Sequence, residues 1–100
     1  MPKFIAIHKW KKGDYATVAR KVIEALPHLP EGITLTYAYV AGSQDGGWCI
    51  YEAKTEKGGE QIESFLKKNV PEMDTITKPI LQFAPPGPDL YMLTHSLIAK

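Results

Sequence analysis

Several features that would narrow the function of a protein are scarce in this 100-residue chain. The single cysteine, Cys49, excludes a disulfide within the chain and fits a reducing compartment. Lys and Arg total 12 and Asp and Glu 11, so the net charge is +1 and the surplus of positive charge typical of nucleic-acid-binding proteins is missing. No apolar run approaches the roughly 18 residues of a membrane span. The apolar start of the chain is also too short for a signal peptide. We therefore expect a cytoplasmic protein whose partners include neither a membrane nor nucleic acid.

The common catalytic and metal-binding motifs are absent as well. His8, His28 and His95 lack the short spacings of a metal site, and no P-loop, G-x-S-x-G or H-E-x-x-H motif occurs. The glycine-rich segment 42–47 (GSQDGG) has the composition of a turn between strands. The sequence thus names no cofactor and predicts no metal ligands.

The chain does contain a regular succession of strand and helix patterns. β-branched and aromatic residues with two-residue alternation predict four strands, at 3–10, 33–40, 48–53 and 75–83. Apolar residues at helical spacing predict a helix after Asp14 that ends before Pro27, and a second from Gly58 to about Val70. Pro79 places the fourth strand at an edge or a bulge of the sheet, because proline cannot donate to a strand ladder.

The order β-α-β-β-α-β predicts an α+β, ferredoxin-like domain over residues 1–83. Residues 84–100 would form a Pro-rich connector and a C-terminal docking segment, and the apolar spacing of this segment fits a helix and a strand equally.

In this fold two helices cover one face of the sheet and leave the other bare. We expect Ile5 and Ile7 to face the helices, which puts Phe4, His8 and Trp10 on the uncovered face. Either face of the predicted hairpin could accompany them, since both are tolerably apolar. A bare aromatic face is a binding surface or an aggregation hazard. It would be covered by a second copy, enclosing a cavity, or it would stack the bases of single-stranded RNA.

Three segments and three residues carry a resemblance to a known superfamily: LPEGITLTYAYVAG, GGWCIYEAK and ITKPILQF, with Cys49, Glu52 and Pro79. They resemble small uncharacterised proteins of the dimeric α/β-barrel superfamily. This resemblance implies a homodimer of ferredoxin-like chains. The opening MPKFIAIHKW is similar to a nickel-binding sister family, but both predicted helices lack the histidines of that family. The fold also hosts ligand-binding proteins, isomerases, cyclases and monooxygenases.

His8 is the titratable residue of greatest interest. It could act as a general acid or base, ligate a metal together with the His8 of a second copy in a symmetric dimer, or be a hydrogen-bonded core residue. Cys49 and Glu52 are three residues apart on a strand, so they should point to opposite faces. We therefore interpret Cys49 as a buried, unreactive thiol. Glu52 would either face the cavity beside a cation or be solvated at the end of the strand.

We interpret the chain as a homodimeric protein that binds a small apolar or aromatic ligand in a sheet-lined cavity, which would lie either between the sheet and the helices or between two paired sheets. The predicted ligand-binding residues are Phe4, His8, Trp10, Tyr37, Trp48, Tyr51 and Glu52. The alternatives are a small isomerase, cyclase or monooxygenase-like enzyme with His8 as the catalytic acid/base, a nickel-binding protein, and a single-stranded RNA-binding module. The last has weak support, because GGWCIYEA lacks the first cation and the last aromatic of the recognition-module pattern.

Overall fold

A computed structural model describes residues 2–80 of the chain. The predicted order of elements is confirmed, with two short 3₁₀ turns at Lys12–Asp14 and Leu26–His28. The strands and helices are β1 (Lys3–Lys9), α1 (Tyr15–Ala25), β2 (Ile33–Val40), β3 (Gly46–Ala53), α2 (Gly58–Asn69) and β4 (Asp74–Ile80). The last residues predicted for the fourth strand (81–83) and the predicted connector and docking segment (84–100) lie outside the described residues.

The four strands form one antiparallel sheet in the order β2-β3-β1-β4, as the ferredoxin-like fold requires. β1 lies in the middle of the sheet, where Ile7 pairs with Trp48 of β3 on one side and with Ile76 of β4 on the other. β4 is an edge strand, which explains how Pro79 is accommodated.

Helix α2 packs closely on the sheet because it begins with two glycines. A Cβ added at Gly58 would lie 2.3 Å from the Cβ of Ala53, and one added at Gly59 would lie 3.2 Å from the ring of Phe4. Both glycines are buried, so the start of α2 rests directly on Phe4. The lysines predicted for the last turn, Lys67 and Lys68, are found there, where positive charge suits the helix dipole.

Helix α1 follows Asp14, as predicted, although the Asp14 side chain makes no capping hydrogen bond. Val18 and Ala25 are the fully buried residues of this helix. Lys21 Nζ donates to Glu72 Oε2 at 2.5 Å, which ties the middle of α1 to the turn before β4. This hydrogen bond with Lys21 is also the main reason that the pKa of Glu72 lies below its ordinary value.

The predicted orientation of β1 is wrong. Phe4, Ala6 and His8 face the helices and are 4%, 0% and 5% exposed, whereas Ile7, on the opposite face, is 36% exposed. The reason is close packing beneath α2. The flat ring of Phe4 lies against the two glycines of α2, and a β-branched Ile side chain has no such flat surface. Both sets of residues on β1 are apolar, so alternation alone could not distinguish the two faces.

A β-bulge in β2 determines which hairpin residues accompany His8. The register of β2 against β3 shifts between Leu35 and Tyr37, and the Thr36 hydroxyl donates to the carbonyl of Ile50 at 2.8 Å. Strict alternation would keep Leu35 and Tyr37 on one face. The extra residue instead leaves Leu35 toward the helices and turns Tyr37 to the other side.

The face of the sheet away from the helices, the open face, carries an exposed apolar centre. Ile7, Tyr39, Trp48 and Ile76 are between 36% and 60% exposed. The rings of Tyr39 and Trp48 stack across β2 and β3 at 5.7 Å between centroids.

The outer edge of β4 is covered in part by α2. Glu63 Oε2 accepts a hydrogen bond from the backbone N–H of Thr77 at 2.8 Å and from its hydroxyl at 2.6 Å. This N–H points out of the sheet, where a further strand would otherwise pair with it. Within residues 2–80, neither helix is long and apolar enough to cross a membrane.

Candidate functional site

A cavity of about 270 Å³ lies between α1 and the helix-facing side of the sheet. One wall is the apolar stripe of α1, and the floor is formed by β1, β2 and β3. No charged side chain contributes to it among the described residues. Its lining residues are His8, Trp10, Tyr15, Val18, Ala19, Val22, Ile23, Leu26, Ala38, Val40, Gly47, Cys49, Tyr51, Leu66 and Met73, and Tyr39 also borders it although its ring stacks on Trp48 on the open face.

The cavity exists because the two helices approach the sheet differently. Glycines bring α2 onto Phe4, but α1 begins with Tyr15 and carries Val18 and Val22 toward the sheet. Opposite them, β2 and β3 present Ala38 and Gly47. Bulky side chains on the helix above small residues on the sheet leave an apolar space.

Trp10 closes one end of the cavity. Its ring stacks on Tyr15 at 6.2 Å between centroids, and its indole N–H donates to the carbonyl of Gln44 at 2.8 Å. The backbone N–H of Trp10 also donates to Asp45. Gln44 adopts a left-handed conformation (φ 61°), so the β2–β3 turn is shaped to hold this end wall.

His8 is the buried polar residue of the floor. Its Nδ1 atom lies 2.9 Å from Oγ1 of Thr75, directly across the β1–β4 pair. Burial lowers the pKa of His8 to about 4, so the imidazole is neutral at neutral pH. Because Nδ1 is engaged by Thr75, Nε2 is the ring nitrogen left for a molecule in the cavity.

Cys49 and Tyr51 lie beside His8 on the floor. Cys49 is paired with Ala6 and Tyr51 with Phe4 on the neighbouring strand. Burial raises the pKa of the Cys49 thiol to about 11, and a hydrogen bond with Tyr51 opposes this only in part. Burial likewise raises the pKa of Tyr51. Cys49 is therefore a protonated thiol at neutral pH and a poor nucleophile.

The structure divides the predicted site residues between three places. His8, Trp10 and Tyr51 line the cavity. Phe4 faces the start of α2 instead. Tyr37 and Trp48 lie on the open face with Glu52, whose carboxylate is 3.7 Å from Lys3 Nζ. As predicted from their spacing, Cys49 and Glu52 point to opposite faces of β3.

The sequence allowed a cavity between sheet and helices, but no residue of α1 was predicted to belong to the site. Val18, Ala19, Val22 and Ile23 of the predicted apolar stripe line the cavity, and Ile23 is 68% exposed. No pattern in the sequence shows that a helix stands away from its sheet, because this depends on side chains from both layers.

Residues 2–80 contain no group of three His, Cys, Asp or Glu side chains placed to hold a metal ion. His8 lies on the helix-facing side of the sheet. A second copy against the open face would therefore not bring two His8 rings together to share a metal.

A larger groove of about 720 Å³ runs along the edge of β4 and has a different character. Lys9, Lys67, Glu63 and Asp74 contribute charges of both signs to it. Its lining mixes charged, polar and apolar side chains, whereas the lining of the cavity beneath α1 is uncharged and largely apolar.

Comparisons with known proteins do not indicate a function for this chain. No protein-family model and no curated protein matches this chain.

Proposed function

We propose that this protein binds a small apolar or aromatic molecule in the cavity between α1 and the sheet. The observation that supports this is an uncharged, partly open cavity lined by apolar side chains, with His8 as its buried polar residue. Ligand sites typically combine apolar walls with a few placed polar groups. The volume of about 270 Å³ suits a molecule of one or two rings.

Two substitutions of the same kind on α1 test this proposal. Ala19→Phe places a ring in the cavity, whereas Ala16→Phe places it on an exposed part of the same helix. Naphthalene is a suitable neutral probe, and its binding is followed by ¹H–¹⁵N NMR through the amides of Val18 and Met73.

We expect naphthalene to shift these amides in the wild type and in Ala16→Phe. In Ala19→Phe its affinity should fall at least tenfold, since the ring occupies the space the probe needs. Equal affinity in both variants, or shifts confined to the open face, would show that the cavity is not the binding site.

We further propose that a second copy of the chain covers the open face, as in dimeric α/β-barrel proteins. The apolar centre formed by Ile7, Tyr39, Trp48 and Ile76 supports this, because a contiguous exposed apolar surface is typical of an interaction site. The mass of the protein in solution tests the dimer proposal directly.

The charges around the open face favour a second copy over RNA as the occupant. Lys3 and Glu52 form an ion pair at one end of the central strands, with Lys78 on the same face of β4, and Lys9 lies opposite Asp74 at the other end. Each end thus offers both signs, which complements another copy of the same face. A phosphate backbone would instead meet two carboxylates, and its binding depends on cations.

The low pKa of His8 argues against the acid–base alternative. An efficient general base has a pKa near the working pH, whereas an imidazole with a pKa of about 4 is a weak base at neutrality. A neutral imidazole is well suited to hydrogen-bond a ligand.

A further inference from the structure

In the floor of the cavity, one ring nitrogen of His8 is available to a ligand, because the other already has a hydrogen-bond partner on the protein. His8 Nδ1 is hydrogen-bonded to Thr75 Oγ1 at 2.9 Å, and this pair spans two adjacent strands of the sheet. The ring is therefore held by the backbone register and by a side-chain contact. His8 is one of the residues that line the cavity, and Nε2 is the ring nitrogen that Thr75 does not engage.

Either tautomer of His8 leaves Nε2 wanting a partner. If the Thr75 hydroxyl donates to Nδ1, Nε2 carries the proton and needs an acceptor. If Nδ1 donates to Thr75, Nε2 has a lone pair and needs a donor. A hydroxyl group can donate or accept, so it satisfies both arrangements. A hydrocarbon would cover Nε2 and leave it without a hydrogen bond, which costs binding energy.

The rest of the lining disfavours an ionised ligand. No Lys, Arg, Asp or Glu side chain faces the cavity among the described residues. Lys9 and Lys11, which are near Trp10 in the sequence, line a separate surface groove instead. The other acidic groups of the floor, the Cys49 thiol and the Tyr51 phenol, stay neutral and interact with each other. A carboxylate entering this space would lose its hydration without meeting a cation.

We propose that the cavity selects uncharged ring compounds bearing one hydroxyl group, which hydrogen-bonds Nε2 of His8 while Thr75 holds the ring from the other side. This inference rests on the proposed ligand-binding function and specifies the class of ligand. His8 is the residue that contacts the ligand, and Thr75 is a positioning residue.

Three probes with the same ring system test the selection: naphthalene, 2-naphthol and 2-naphthoate. Their dissociation constants are measured by ¹H–¹⁵N NMR titration at pH 7, where 2-naphthol is neutral and 2-naphthoate is an anion. We expect 2-naphthol to bind about fivefold or more tightly than naphthalene, the advantage that one net hydrogen bond supplies. We expect 2-naphthoate to bind at least tenfold more weakly than 2-naphthol.

Substitutions at His8 and Thr75 test whether these two residues cause the preference for 2-naphthol. His8→Leu keeps an apolar floor, so naphthalene should still bind while the advantage of 2-naphthol disappears. Thr75→Val should reduce that advantage by freeing the ring, and Thr75→Ser should restore it. The Thr75 series retains His8 and so provides a second test if His8→Leu fails to fold.

The outcomes separate the two proposals. If naphthalene binds in the cavity and 2-naphthol shows no advantage, or keeps its advantage in both His8→Leu and Thr75→Val, the hydroxyl preference is wrong while the ligand-binding proposal stands. If none of the three probes reaches the cavity, both are wrong. Tighter binding of 2-naphthoate than of 2-naphthol would also overturn the preference, because it would require a cation in the cavity.

Discussion

His8 shows how one buried side chain connects the stability of this fold to pH. Its pKa in the folded protein is about 4, against 6.5 for an unperturbed histidine, because burial disfavours the charged ring. Between these two values the unfolded chain binds a proton that the folded chain does not. The contribution of His8 to the free energy of unfolding is therefore fully present above pH 6.5 and is lost as the pH falls toward 4.

We expect the free energy of unfolding to fall by about 2 kcal/mol between pH 7.5 and pH 5 on account of His8. Urea denaturation at the two pH values measures this change, and His8→Leu should remove the His8 share of it. His28→Gln is the matched control, because His28 is exposed. A pH dependence that is the same in His8→Leu and in the wild type would show that the ring is not buried in its neutral form.

At the scale of elements, the contact of α2 with β1 depends on glycine. Gly58→Ala would place a Cβ 2.3 Å from that of Ala53, too close for two carbon atoms. Overpacking of this kind costs about 1–3 kcal/mol. Replacing a helical glycine by alanine returns at most ~1 kcal/mol. We therefore expect Gly58→Ala to lower the midpoint of urea unfolding.

Gly13→Ala is the control for that measurement, since nothing lies within 4 Å of the added carbon. It should leave the midpoint unchanged or raise it slightly. Equal midpoints for the two variants would mean that α2 can move off Phe4 at little cost.

The elements themselves were predictable from the sequence, and the orientation of their faces was not. Two-residue alternation located β1 and β2, because a strand periodically exposes its side chains. It could not orient β1, since Ile5 and Ile7 are as apolar as Phe4 and Ala6. Nor could it foresee the bulge at Thr36, which sends Leu35 and Tyr37 to opposite faces. The cavity depends on both of these features, so its floor was identified only in part, through His8, Trp10 and Tyr51.

At the scale of the whole molecule, the open face predicts a dimer. Wild-type protein should sediment at twice the 11.1 kDa of one chain. Trp48→Glu places a charge at the apolar centre of this face and should yield single chains, because burying an unpaired carboxylate is costly. Ala16→Glu, on an exposed part of α1, should leave the dimer intact.

A single-chain mass for the wild type at its highest soluble concentration would overturn the dimer proposal. It would leave the cavity proposal standing, because every residue lining the cavity comes from one chain.

The carboxylate of Glu63 also limits how this protein can polymerise. Outward backbone positions alternate along β4 and fall at Thr75, Thr77 and Pro79. Glu63 engages the second, and the imino acid at the third has no hydrogen to donate. A strand of another molecule therefore pairs less readily with β4 than with β2, at the far side of the sheet. Growth of the sheet into a fibril needs both edges, so the contact of Glu63 and the imino acid at position 79 oppose it on one side.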